Sequence, residues 1–333
     1  MSAQKNYRYV AAVVIVLIVI AAGYFYYQST LTPSTSTKFR IAVLLPGAAN
    51  DVSWNQVGFN AVKRVSEAVG AEYVVNENVA VSDIERLERQ YAEQGYNLIV
   101  AHGVEYQEQT IRVAADFPKV FFEVTGGWLN STDNVGYAGQ GFYEDGYLLG
   151  FVAAHLTKTG KIGFVYAVDI PSYKAYIVNT RMGIEAVDKS LTFTPVATGD
   201  FDDATKSKQA SAALISQGYD VIINGGDGLS IGVIAAAKDG GVWTTGSMSD
   251  QSSLYPAKTY MSTIYNVTVA IERMVHDIQT TGKVQKFYDI TLANGGCVPM
   301  LHIQLPPDVQ AQYDQALADL KSGKIHIVSS SEV

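Results

Sequence analysis

The stretch NDVSWNQVGFNAV, residues 50–62, brings together a carboxylate, an indole and a carboxamide in Asp51, Trp54 and Asn55. Such a set makes and breaks no covalent bonds. It offers a flat apolar face for stacking and polar groups for hydrogen bonding, the chemistry of holding a ring in place. A short apolar run precedes it and an amphipathic pattern follows, so the three residues sit where a strand turns into a helix. In open α/β sheets, the loops at the carboxyl ends of strands are where ligands dock. Asp51 serves equally well as a cap on the helix that follows.

Other polar clusters are weaker. NGGDGLSIG, residues 224–232, follows a strand and opens a helix, yet it matches neither GxGxxG nor GxxxxGK[ST]. A tight turn accounts for its glycines. There is no GxSxG elbow. In GDFDDAT the carboxylates Asp200, Asp202 and Asp203 stand at a helix start, where Asp202 or Asp203 reads as a cap, and no pair is singled out for glycosidic chemistry. The five histidines show no metal-binding spacing, and the single cysteine, Cys297, excludes an internal disulfide and a thiolate cluster. No cofactor or metal is expected. A net charge of −8 without a basic run argues against a nucleic-acid partner. The residues describe a binder better than an enzyme.

The elements that position these groups alternate strictly. Strands are expected over residues 40–45, 71–75, 98–101, 120–124 and 135–138, with helices near 54–69, 82–94 and 106–116. After a helix near 142–156 and the turn TKTGK the pattern restarts: strands at 162–166, 193–197, 221–224 and 242–245, helices near 172–189, 204–217 and 229–239. Repeated βαβ units imply parallel sheets with right-handed crossovers. The chain therefore reads as α/β, with two doubly wound lobes. Residues 39–157 plus about 264–290 form lobe 1, and 158–263 plus about 291–333 form lobe 2. A cleft between them is the default ligand site.

The N-terminus differs. Residues 9–27 carry no charge, and 19 residues at ~1.5 Å rise give roughly 28 Å, the thickness of a bilayer core. Lys5 and Arg8 precede the run, which places residues 1–8 in the cytoplasm and the remainder outside. The run is longer than a usual signal h-region and lacks a clear small-x-small cleavage site, so an uncleaved signal anchor is favoured over a cleaved, secreted form. Residues 28–38 read as a Ser/Thr-rich linker.

Several blocks, in order, resemble the basic membrane protein family, the PnrA-like purine nucleoside receptors of ABC importers. DVSWN resembles its D-x-S-[FW]-N segment, and FYEDGYLLGFVAAHLTKTGKIGFV its E-G-x-Y-L-x-G block. GDFDDATKSKQASAALISQGYDVI resembles its G-x-F-x-D-x-x-K block, and LANGGCVPM and LKSGKI resemble its closing blocks. The resemblance implies a type I periplasmic binding protein fold, with a hinge and a central cleft. It implies a nucleoside ligand whose base lies between Trp54 and Tyr176, one ring from each lobe. Asp51 and Asn55 would bond base edges or ribose, and Glu123 would accept from a purine N–H.

Two positions depart from the family pattern. In GSMSDQ, Met248 stands where an aspartate commonly holds ribose hydroxyls, and in STIYN, Tyr265 stands in place of a lysine. Asp227 is the candidate replacement for the lost carboxylate. The implied partners are a permease and an ATPase, served by a monomeric receptor that closes on its ligand. Three other readings stay open: a same-fold receptor for a sugar or amino acid, a ligand sensor, and a nucleoside-processing enzyme.

Overall fold

The computed structural model describes residues 18, 20–23, 38–139 and 141–333. The chain divides into two compact units, Met1–Lys38 and Phe39–Val333. In the first, residues 18 and 20–23 are helical. The rest of the expected span at 9–27 and residues 28–37 of the linker lie outside the described residues. Among the described residues, no helix is long and apolar enough to cross a membrane.

The second unit holds two six-stranded sheets. The first contains β1 (Arg40–Leu44), β2 (Glu72–Asn76), β3 (Leu98–Ala101), β4 (Phe121–Thr125), β5 (Val135–Ala138) and β11 (Phe287–Tyr288), in the order β11-β5-β4-β3-β1-β2. The second contains β6 (Lys161–Tyr166), β7 (Thr192–Ala197), β8 (Val221–Gly225), β9 (Trp243–Gly246), β10 (Thr259–Tyr265) and β12 (Cys297–Leu301), in the order β12-β10-β9-β8-β6-β7. Every pairing is parallel except β10 with β12. Continuous apolar runs such as LIVA in β3, buried at every position, are what a sheet covered by helices on both faces requires.

Helices α1 (Trp54–Val69), α2 (Ile84–Glu93), α3 (Gln107–Asp116) and α8 (Thr268–Thr281) cover the first sheet. Helices α4 (Gly146–Leu156), α5 (Pro171–Val187), α6 (Ala204–Ser216), α7 (Ser230–Gly240) and α9 (Pro307–Lys321) cover the second. The sequence reading left α4 in the first lobe. It packs instead along α5, and the Leu149 carbonyl accepts a hydrogen bond from the Tyr260 hydroxyl of β10. The first change of lobe therefore falls at residues 139–145, ahead of α4 and not at the TKTGK turn.

The chain crosses between lobes three times, after β5, after β10 and after β11. The three crossings are bonded together: Gly139 N–H donates to the Tyr288 carbonyl at 3.0 Å and Asn266 N–H to the Gly296 carbonyl at 2.7 Å. Gly141 makes this convergence possible, because a Cβ there would lie 1.6 Å from the Ile290 carbonyl oxygen. In each sheet the strand order reverses once, at β1/β3 in one and β6/β8 in the other. These two switch points are where a doubly wound sheet opens a crevice.

Candidate functional site

A cavity lies between the two switch points, lined by Pro46, Trp54, Asn55, Val104, Glu105 and Phe142, and by Ile170, Tyr173, Phe201, Asp202, Asp227 and Met248. Counting the open solvent at its mouth, the space between its walls is about 570 Å³. Nearly every lining residue sits just beyond the carboxyl end of a strand: Pro46 after β1, Glu105 after β3, Ile170 after β6, Phe201 after β7, Asp227 after β8 and Met248 after β9.

Of the residues singled out in the sequence, Trp54, Asn55, Asp227 and Met248 line the cavity, whereas Asp51, Glu123, Tyr176 and Tyr265 do not. Asp51 is occupied as a cap. Its Oδ1 accepts from the backbone N–H of Ser53 at 2.8 Å and of Gln56 at 3.0 Å, and its Oδ2 from the N–H of Asn55 at 2.9 Å and its Nδ2 at 2.7 Å. A carboxylate at a helix N-terminus satisfies orphan donors and suits the macrodipole. Asn55 completes the brace by accepting from Gly47 N–H at 2.9 Å. The polar groups of DVSWN thus build the junction that presents Trp54.

Trp54 itself is 8% exposed, with its Nε1–H bonded to the His102 carbonyl at 3.0 Å. Its indole stacks on His102, with ring centres 4.4 Å apart, and on Tyr265, with centres 5.5 Å apart and planes 9° from parallel. Tyr265, at the end of β10, donates its hydroxyl to the Gly139 carbonyl at 2.5 Å and so ties the second lobe to the end of β5. In the position where the family pattern has a lysine, a neutral ring spans the hinge.

The expected second ring is corrected. Tyr176 is fully buried, its hydroxyl 2.9 Å from Thr263 Oγ1 and its ring edge-on to Phe164 and Phe142. It is a core residue of the second lobe. Tyr173, one turn earlier in α5, lines the cavity with Phe201, their ring centres 6.5 Å apart. Sequence reasoning missed Phe201 because GDFDDAT was read only for its aspartates. Its position after β7 was the available signal.

Glu123 is also corrected as a ligand group. It is completely buried, bonded to Thr125 Oγ1 at 3.0 and 3.2 Å and to Ala138 N–H at 3.3 Å, and burial raises its carboxyl to about 8. The cavity wall carries other acids. Burial pushes Asp227 well above the ordinary carboxylate range, with the charges of Asp202, Asp51 and Glu105 adding to the shift. Its Oδ1 is inaccessible and has no hydrogen-bond partner. Glu105 and Asp202 are raised chiefly by burial as well. Among the described lining residues there is no lysine or arginine. The arrangement can accept several hydrogen bonds and stack on a flat group, and it offers no charge to an anion.

At the rim the lobes touch. The Val52 carbonyl, in lobe 1, accepts from Ser249 Oγ at 2.5 Å and from Gln251 Nε2 at 3.1 Å, both in lobe 2. Val52 and Met248 both hold positive φ, 52° and 65°, a region costly for residues with a side chain and typical of clamps and functional loops.

The family model described as ABC transporter substrate-binding protein PnrA-like matches residues 38–328. The chain belongs to the Bmp family of ABC transporter substrate-binding proteins. It is 28% identical over 295 residues to a purine-binding protein of Brucella abortus (strain 2308), covering 87% of this chain and 83% of the relative. It is 27% identical over 302 residues to the ABC transporter nucleoside-binding protein BmpA of Lactococcus lactis subsp. cremoris, covering 84% and 86%. Among solved structures, a solute-binding protein of an ABC transporter system from Conexibacter woesei superposes with a TM-score of 0.72 at 26% identity, covering 88% of this chain and 99% of that one. The Bmp chain is thus a solute-binding protein and not an enzyme, and its two parallel-sheet lobes are those of periplasmic binding proteins.

Proposed function

We propose that this Bmp-family protein is the membrane-anchored, extracytoplasmic receptor of an ABC importer and that its cleft takes a nucleoside, with a purine as the base. The observation that carries the reading is the cavity wall: aromatic rings from both lobes, Trp54 on one side and Tyr173 and Phe201 on the other, beside the acceptor groups Glu105, Asp202 and Asp227. Base–aromatic stacking contributes about 1–3 kcal/mol per base and tolerates any base. Ribose hydroxyls and base N–H groups supply donors to the carboxyls, and Asp227 takes the part of the aspartate replaced by Met248. The absence of a cation among the lining residues favours a neutral nucleoside over a nucleotide or a free amino acid, whose anionic groups would meet only acids. The names of the Brucella and Lactococcus relatives point the same way.

Function follows from closure. A ligand that touches both walls favours the closed lobes, and the permease, with its ATPase, engages that form. The uncharged run at 9–27 holds the receptor to the membrane as a monomer. The deciding experiment is isothermal titration of protein that has been unfolded and refolded to strip carried ligand, using adenosine, guanosine, inosine, cytidine, adenosine monophosphate and ribose. Purine nucleosides should bind and the monophosphate should not. Tighter binding of ribose alone, or of the monophosphate, would overturn the reading.

A further inference from the structure

Behind Trp54 the first lobe holds a chain of buried polar groups that does not reach the cavity. His102, just past β3, is fully buried, with Nε2 2.9 Å from the Trp54 carbonyl oxygen and Nδ1 2.9 Å from Thr125 Oγ1. A carbonyl oxygen can only accept, so Nε2 carries a proton. In a neutral imidazole Nδ1 is then an acceptor, and the single Thr125 hydroxyl proton must go to it. That hydroxyl cannot also donate to Glu123, whose two oxygens lie 3.0 and 3.2 Å away. Glu123 must be the donor, as a carboxylic acid. The alternative, an imidazolium facing a carboxylate, contains the same single proton in a different place. A chain that has lost this proton sets two acceptors against each other at Thr125, with all three side chains fully buried.

The packing makes His102 the support of the indole. Trp54 donates to the His102 carbonyl, His102 donates to the Trp54 carbonyl, and the two rings stack. Space for the imidazole comes from Gly58, one turn along α1, where a Cβ would lie 2.4 Å from His102 Cδ2. We propose that Glu123 is a positioning residue for the cleft: through Thr125 it sets the proton on His102, and His102 clamps Trp54 in the orientation the solute meets.

Burial favours the neutral forms, raising Glu123 to about 8 and lowering His102 to about 4. The ionisable groups facing the chain are Asp51, ahead of α1, whose charge partly restores His102, and Tyr265 of β10, whose phenol is raised by burial and by Glu123. Neither supplies a proton to Thr125.

The test uses the full-length chain with ¹⁵N-labelled histidine. The imidazole nitrogens of His102 should report a protonated Nε2 at pH 7, with a change in their shifts as pH rises through about 8. In Glu123→Gln the carboxamide donates permanently to Thr125, so the signal should stay constant from about pH 6 to 9.5. Thr125→Val should abolish the coupling while Nε2 remains bonded to Trp54. A wild-type His102 protonated only on Nδ1, or one whose titration survives in Glu123→Gln, overturns the assignment. The functional arm rests on the nucleoside reading: adenosine affinity should fall at least several-fold from pH 7 to 9.5 in the wild type and stay level in Glu123→Gln. If adenosine does not bind at any pH, the nucleoside reading fails and the histidine signals still decide the proposal.

Discussion

The Trp54 indole and the Tyr265 phenol, from different lobes, lie nearly parallel with ring centres 5.5 Å apart. The tyrosine is fixed by its bond to the Gly139 carbonyl and the indole by its bond to the His102 carbonyl. The Trp54 ring and the chain crossing at Gly139 are therefore joined through one stacked and bonded unit.

Truncating the indole should weaken purine nucleoside binding by about 1–3 kcal/mol, the range for a base–aromatic stack. Titration calorimetry of Trp54→Ala against Trp54→Phe gives the comparison. A folded Trp54→Ala protein with unchanged Kd would remove Trp54 from the site.

The two aromatic positions of the second lobe should separate cleanly. Phe201→Ala should raise the Kd for adenosine by about tenfold or more, within the stacking range. Tyr176→Phe should leave it unchanged and lower stability by about 1 kcal/mol through loss of the bond to Thr263. Binding assays paired with denaturant melts of both variants check this, and the reverse pattern would restore Tyr176 to the site.

Stability should decline from mildly acid to mildly alkaline pH. Glu88 and Glu123 are raised by burial to about 8, and Glu144 and Asp145 to about 7. Each folded state holds a proton that the unfolded chain gives up at ordinary carboxyl values. Their contribution is complete below about pH 4.5 and is lost as pH climbs through 7 to 8. His102, lowered to about 4, acts oppositely, its contribution being present above about 6.5 and lost as pH falls toward 4. Calorimetric Tm values should peak on the acid side of neutrality, and a Tm that rises between about pH 6 and 8 would contradict this.

Ser249→Ala and Gln251→Ala together remove both donors to the Val52 carbonyl. At roughly 0.5–1.5 kcal/mol for each bond, the contact between the lobes should lose about 1–3 kcal/mol. Stopped-flow release of a bound nucleoside should be faster in the double variant. Because Gln251 Oε1 also accepts from the buried Ser247 N–H at 2.9 Å, Ser249→Ala alone should show the faster release with little change in melting temperature.

Most strands could be read from the sequence because buried parallel strands leave apolar runs, as in LIVA of β3 and VII at the start of β8. The site was read less well. Tyr173 and Tyr176 lie three residues apart on the same side of α5, so helical periodicity cannot choose between them. What separates them is position along the helix: Tyr173, in the first turn, lines the cavity, and Tyr176, equally buried, lies one turn further on. Glu123 was assigned to the ligand on the family resemblance alone, and only the structure shows Thr125 and the Ala138 N–H satisfying it. Helix α4 was assigned to the wrong lobe because its sequence is apolar all round and carries no mark of which sheet it faces.

The three lobe crossings converge where Gly141 presses against the Ile290 carbonyl and Asn266 bonds Gly296. Two parallel straps would let the halves of a shell slide or twist, but three laced side by side leave a single axis of easy bending, as in a clamshell. Opening and shutting then become one coordinate. If the lobes close on solute as proposed above, a side chain that stiffens those straps should change how tightly solute is held without ever touching it.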